Sequence, residues 1–226
     1  MKSALSHLLP LAVASACLPA DALATGALAT GTLTTGTLTT GAAAQGARVW
    51  DFRVYLDNAA IGTHRFTLRQ QGEERELASE ARFEVKLMFF TAYRYAHRAN
   101  ERWRGDCLTA LNSRTDDNGT PFAVAKEREA LPGCIMSFAY WNPQILRQSR
   151  LLNAQTGEHE AVSISALGEE SIAVRGAQVP ARRYRISGPK NPIELWYSAT
   201  GEWLALASTL EGGRRLQYRL EQGGQP

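Results

Sequence analysis

His97 and Glu101 are the residues of this chain whose types and spacing come nearest to chemistry. Both belong to a run in which Phe83, Val85, Leu87, Phe89, Tyr93, Tyr95, His97, Ala99, Glu101 and Trp103 share one parity. The other parity carries Arg82, Glu84, Lys86, Arg94, Arg98, Asn100, Arg102 and Arg104. Successive strand residues point to opposite faces, so the first set faces an interior and the second faces water. Ionisable groups on a buried face are rarely left without a partner. Four strand residues span about 13 Å, too far for the two side chains to meet along a straight strand. Each then needs its own partner: an inward Arg, a tyrosine or a ligand. A carboxyl and an imidazole facing one interior are general acid–base groups, which makes His97 and Glu101 weak catalytic candidates. Polar groups satisfied inside a wet barrel are the commoner case, and in a binding protein the two would orient a ligand's polar end.

Other reactive residue types carry less. Ser137, Ser163, Ser165 and Ser171 have no Gly-x-Ser-x-Gly elbow and no base at a recognisable spacing. The glycines sit in turns, with no Gly-rich loop entering a helix, so no nucleotide or other cofactor is expected. His159-Glu160 lies beside a Thr156-Gly157 turn and reads as solvated. No His-x-His, His-Glu-x-x-His or close cysteine pair proposes a metal. Asn118-Gly119-Thr120 matches a glycosylation sequon and Arg104-Gly105-Asp106 an adhesion tripeptide, but each is also what a turn requires.

The cysteines point to a compartment. Residues 1–24 combine Lys2, an apolar run from Ala4 to Ala16 and the small-x-small site Ala22-Leu23-Ala24, the signature of a secretory leader and a periplasmic destination. The run is too short, and too interrupted by His7 and Pro10, for a spanning helix of about 20 residues. No later stretch qualifies, so the mature chain is expected to have no transmembrane span. A competing reading is a lipobox, Ala14-Ser15-Ala16-Cys17, which would anchor the protein to the outer membrane through Cys17, although Ala14 stands where a larger aliphatic is preferred. Cleavage at Ala24 leaves only Cys107 and Cys134, which an oxidising compartment would join.

The elements that must position these residues are almost all strands. After the leader, residues 25–46 hold the five-residue repeat TGALA-TGTLT-TGTLT-TGAAA, too poor in apolar surface to order itself and read as a disordered spacer. Residues 47–226 form one domain. Alternation over 50–56 and 63–69 about a turn at 57–62 makes a hairpin. The run 83–103 exceeds an ordinary strand and should bulge or turn near 88–92. Strands follow at 108–115, 120–129, 160–167, 171–175, 181–187, 193–197, 203–210 and 214–220, the second after the Asn118-Gly119 hairpin signal. The rhythm stops at 134–153, where an aromatic strand over 138–141 precedes a helix at 143–149, with Asn142 as N-cap and Pro143 in the first turn. This segment is the expected lid or plug. The fold class is therefore mainly β: a single antiparallel curled sheet, a barrel or half-barrel of about ten to twelve strands, with one short helix.

Charge excludes one large class of partner. The formal net charge is only +3, and Lys stands at just four positions (2, 86, 126 and 190), the remaining 21 of 25 basic residues being Arg. These charges are scattered, not gathered on one face with stacking aromatics, so no nucleic acid is expected. The large rings suit a core or the wall of an apolar pocket.

The patterns Tyr93-x-Tyr95-x-His97-x-x-x-Glu101-x-Trp103, Phe138-x-Tyr140-Trp141-Asn142, Leu151-Leu152-Asn153-x-x-x-Gly157, Leu195-Trp196-Tyr197 and Gly201-Glu202-Trp203-Leu204-x-Leu206 resemble an uncharacterised family, a domain of unknown function, of exported Gram-negative bacterial proteins. The resemblance spans nearly all of 48–221 and implies an architecture, not a mechanism. More distantly, the build is similar to the curved periplasmic sheets of the LolA and LolB carriers. Together these readings imply an exported protein binding a small apolar or amphipathic, lipid-like ligand through Tyr95, His97, Glu101, Trp103, Tyr140, Trp141, Asn142 and Trp196, with an inward Arg beside His97 and Glu101. The alternatives are an acid–base enzyme using His97 or Glu101 and a non-catalytic envelope scaffold.

Overall fold

The computed structural model describes residues 46–88 and 90–223. The expected leader, the alternative anchor site at Cys17 and the expected spacer up to residue 45 lie outside the described residues. The strands are β1 (Arg48–Leu56), β2 (Ala59–Gln71), β3 (Glu74–Leu87), β4 (Phe90–Arg104), β5 (Cys107–Asp117), β6 (Thr120–Lys126) and β7 (Met136–Ser137). There follow β8 (Arg150–Leu152), β9 (His159–Ala161), β10 (Ser163–Val174), β11 (Ala177–Ser187), β12 (Ile193–Tyr197), β13 (Trp203–Thr209) and β14 (Arg215–Gly223). Eleven of them make one antiparallel sheet in the order β10-β11-β12-β13-β14-β1-β2-β3-β4-β5-β6, with β6 and β10 as its edges. The sheet is not closed. The connection between its edges carries the separate sheet β7-β8-β9.

Local sequence explains most of this. In β1, Trp50, Phe52, Val54 and Leu56 alternate with half-buried residues, the period of a strand with one packed face. Asp57 and Asn58 turn the chain with positive φ at both positions, a conformation these short polar residues tolerate. The expected break at 88–92 is a hairpin: Met88 has φ 55°, Leu87 pairs with Phe90, and the run 83–103 is two strands. Met88 and Phe90 are left exposed at its tip.

Several expected boundaries move. Residues 160–167 and 171–175 belong mostly to one strand, β10, which continues through a bulge between Ala166 and Gly168, where Gly168 takes φ 117°. The expected helix at 143–149 is a 3₁₀ turn, Pro143–Arg147. Its bonds run from Ile145 N to Asn142 O and from Gln148 N to Ile145 O, and the chain re-enters a strand at Arg150 before a wider helical turn can close. Asn142 does cap it, its side-chain oxygen accepting from Gln144 N at 3.1 Å. Two more 3₁₀ turns, Arg128–Ala130 and Glu211–Gly213, were not anticipated. No strand spans 138–141, because Ala139 N donates to Ser137 O and Asn142 N to Ala139 O, turn bonds that replace a ladder. No described helix is long and apolar enough to cross a membrane.

Cys107 and Cys134 are bonded, with Cα atoms 4.7 Å apart, and Leu108 N donates to Ile135 O beside them. The connecting segment is thereby fastened to β5. Its residues Ile135, Met136, Ala139, Ile145, Leu151 and Leu152 are buried in the same core as Trp50, Trp103 and Trp203.

Candidate functional site

A cavity of about 170 Å³ lies between the sheet and the connecting segment. Its lining comes from both halves of the sheet: His64 and Phe66 of β2, Ser79 of β3, His97 of β4, Ile193 of β12, Leu206 of β13 and Tyr218 of β14. Strands so far apart in the order can share one cavity only if the sheet curls around it.

The rows of paired residues explain the hollow. One row runs Phe66, Ser79, Ala99, Ser113, Val124 across five strands, and the next runs His64, Ala81, His97, Thr115, Phe122. Small side chains, Ser79, Ala99 and Ser113, therefore sit at the centre of the first row, and Ala81 separates the two imidazoles of the second. Larger ones bound them, with Phe83 stacked on Tyr95 at 5.3 Å on one side and Leu77 paired with Glu101 on the other. From the opposite wall, Ser137, Phe138, Tyr140, Trp141, Asn153 and Gln155 of the connecting segment complete the lining.

Its polar groups are nearly all bonded. His97 Nδ1 meets Thr115 Oγ1 at 2.7 Å, and Tyr95 donates to Gln155 Oε1 at 3.0 Å. His64 Nε2 meets Ser79 Oγ at 2.7 Å. Trp103 Nε1 donates to Glu101 Oε2 at 3.0 Å, and the Ser137 hydroxyl also bonds this carboxyl. Burial, only partly offset by those two bonds, pushes Glu101 up to about 7. Burial likewise draws His97 down to about 4 and His64 well below the usual imidazole range, with His97 adding to the effect on His64. Trp141 Nε1 is buried with no hydrogen-bond partner.

Of the residues expected to meet a ligand, Tyr95, His97, Glu101, Tyr140 and Trp141 line the cavity. Trp103 stands behind them as the donor to Glu101. Asn142 lies in a neighbouring depression with Trp141 and donates to Asp106 Oδ1 at 2.9 Å. Trp196 is on the other face of the sheet from Leu195, donating to Glu170 Oε1 at 2.8 Å with the Arg183 guanidinium over its ring. The expected inward Arg is not found: among the described residues no arginine lines the cavity. Arg94, Arg98, Arg102 and Arg104 all stand exposed on the outer parity of β4. Glu160, read as solvated, lines the cavity and accepts from Asn153 Nδ2 at 2.6 Å, because β9 folds back onto β8.

Sequence reasoning passed over His64, Ser79, Ser137 and Tyr218 as site residues. His64 was legible as an inward residue of β2, but its neighbours come from strands far away in the chain. Among the described residues no group of three His, Cys, Asp or Glu side chains converges to hold a metal.

Fold and site together define an open, β-barrel-like protein with a small internal aromatic-walled pocket. The chain belongs to the DUF6134 family, a domain of unknown function, which matches residues 52–221. A solved structure from Brucella abortus, titled a beta-barrel-like protein of domain of unknown function DUF1849, is similar over 79% of this chain and 97% of its own at 8% identity, with a TM-score of 0.49. No functionally curated protein matches the chain.

Proposed function

We propose that the protein is exported to the periplasm and binds a small apolar or amphipathic ligand in this cavity without transforming it. The carrying observation is a space of about 170 Å³, partly open to solvent and walled mainly by rings and aliphatic side chains, with a few polar groups converging on it. A dry cavity of about 150 Å³ suffices to hold benzene, so the ligand is a ring-sized molecule or a short section of a longer one. A whole lipid is too large. Lipidation at Cys17 would add a membrane anchor to the same function.

Glu101, with its carboxyl near 7 in an aromatic cavity that His97 also lines, supports a second reading in which it exchanges a proton with a bound substrate. Native mass spectrometry of protein purified from the periplasm tests the first reading. The expected result is a discrete added mass that organic solvent releases. Protein that is consistently ligand-free counts against binding, and recovery of a chemically altered probe that Glu101→Gln fails to alter favours the enzyme.

A further inference from the structure

Glu101 is a buried carboxyl without a countercharge. Its residue is 5% exposed, its hydrogen-bond donors are the neutral Trp103 and Ser137, and no Lys, Arg or His among the described residues forms an ion pair with it. Two other buried glutamates among the described residues are matched. Glu194, equally buried, takes Arg183, Arg185 and Arg215 at 2.8 Å each, and Glu202 takes Arg48. The one lysine or arginine lining the cavity among the described residues, Lys190, is engaged with Glu211 at 2.7 Å, while Glu160 adds a second carboxyl to the lining.

The walls complete the pattern. Phe66, Phe83, Tyr95, Phe138, Tyr140 and Tyr218 surround the space, and aromatic faces attract a desolvated cation. We infer that the cavity is a site for a small organic ammonium ion, whose charge pairs with Glu101 and whose carbon skeleton lies against the rings. This rests on the binding reading and names its ligand class. The raised affinity of Glu101 for a proton is the same deficit seen from the protein's side, a proton standing where the ligand's charge would. Anionic ligands, including fatty acids and phosphate-headed lipids, meet no unpaired lysine or arginine among the described lining residues.

Three probes of one ring size separate the outcomes: benzylamine, benzyl alcohol and benzoate, titrated calorimetrically into the full mature chain at pH 8. Benzylamine is expected to bind one to one and about tenfold or more tighter than benzyl alcohol, with benzoate undetected. Glu101→Gln should bring benzylamine to the level of the alcohol, and Glu101→Asp should restore part of the difference. Equal or tighter binding of benzyl alcohol or benzoate to the unaltered protein overturns the ammonium inference and leaves the binding reading standing, as does benzylamine affinity unchanged in Glu101→Gln. Absence of binding by all three overturns the binding reading itself.

Discussion

Glu101 is where the site costs the fold stability. A glutamate of the unfolded chain ionises near 4.5, whereas this one ionises near 7. Between those values the folded protein holds a proton that the unfolded chain has lost. The associated stability is therefore complete below pH 4.5 and lost as pH rises through 7, about 3 kcal/mol in all. Glu101→Gln is expected to raise urea stability at pH 8 and to change it little at pH 4.5; equal effects at both would refute the shift. His97 has the opposite slope, since its pKa falls from 6.5 to about 4, so its contribution is complete above 6.5 and lost as pH falls through 4. Over the shared window the two oppose each other, and single variants are needed to see either. At Glu194, burial works to raise the pKa, but Arg185, Arg215 and Arg183 hold it down to about 2. Glu194→Gln should therefore destabilise the protein at neutral pH, with the difference vanishing as pH falls toward 2. Parity alone made His97 and Glu101 legible in the sequence. What stayed hidden was the partner of each, since Thr115 reaches His97 through register and Ser137 reaches Glu101 from a segment with no strand rhythm.

Among the elements, the connecting segment depends on its bridge to β5. The bridge spans 27 residues of sequence, for which the loop-entropy picture gives about 3 to 4 kcal/mol. Replacing both cysteines by serine should lower stability by about that amount and should speed amide exchange at Ile135 and Met136 more than in β12. A uniform change across the chain would mean that the segment is held by packing alone. Gly62 matters to β2 for a different reason: it lies beside the bulge that shifts the β1–β2 register, and a Cβ there would fall on the Arg82 carbonyl of β3. Gly62→Ala is expected to destabilise by more than the roughly 1 kcal/mol of an ordinary strand substitution, because backbone cannot yield as a side chain can. Alternation located nearly every strand of the main sheet, and Asn118-Gly119 located a hairpin. It misjudged 143–149 and 138–141, where turn bonds rather than apolar period decide the conformation. It could not distinguish inward from outward at Trp196, since the outer face there is also covered, by Arg183 and Glu170.

For the whole molecule, the eleven-strand sheet agrees with the expectation of ten to twelve, and its open edges make it a half-barrel. Closure is achieved chemically by the segment between β6 and β10, not by strand pairing. Whether the interior was hollow could not be read from the chain, because Ser79, Ala81, Ala99 and Ser113 are separated by up to 34 positions in sequence and meet only through register. The direct test is Ala99→Leu, which places a larger side chain at the centre of the hollow. In a packed core such a change costs about 1 to 3 kcal/mol. In this structure stability should hold or rise, by up to about 1 kcal/mol, while calorimetric binding of benzylamine disappears. A variant clearly less stable than the parent, or one that binds benzylamine as before, would contradict an internal cavity as the binding site.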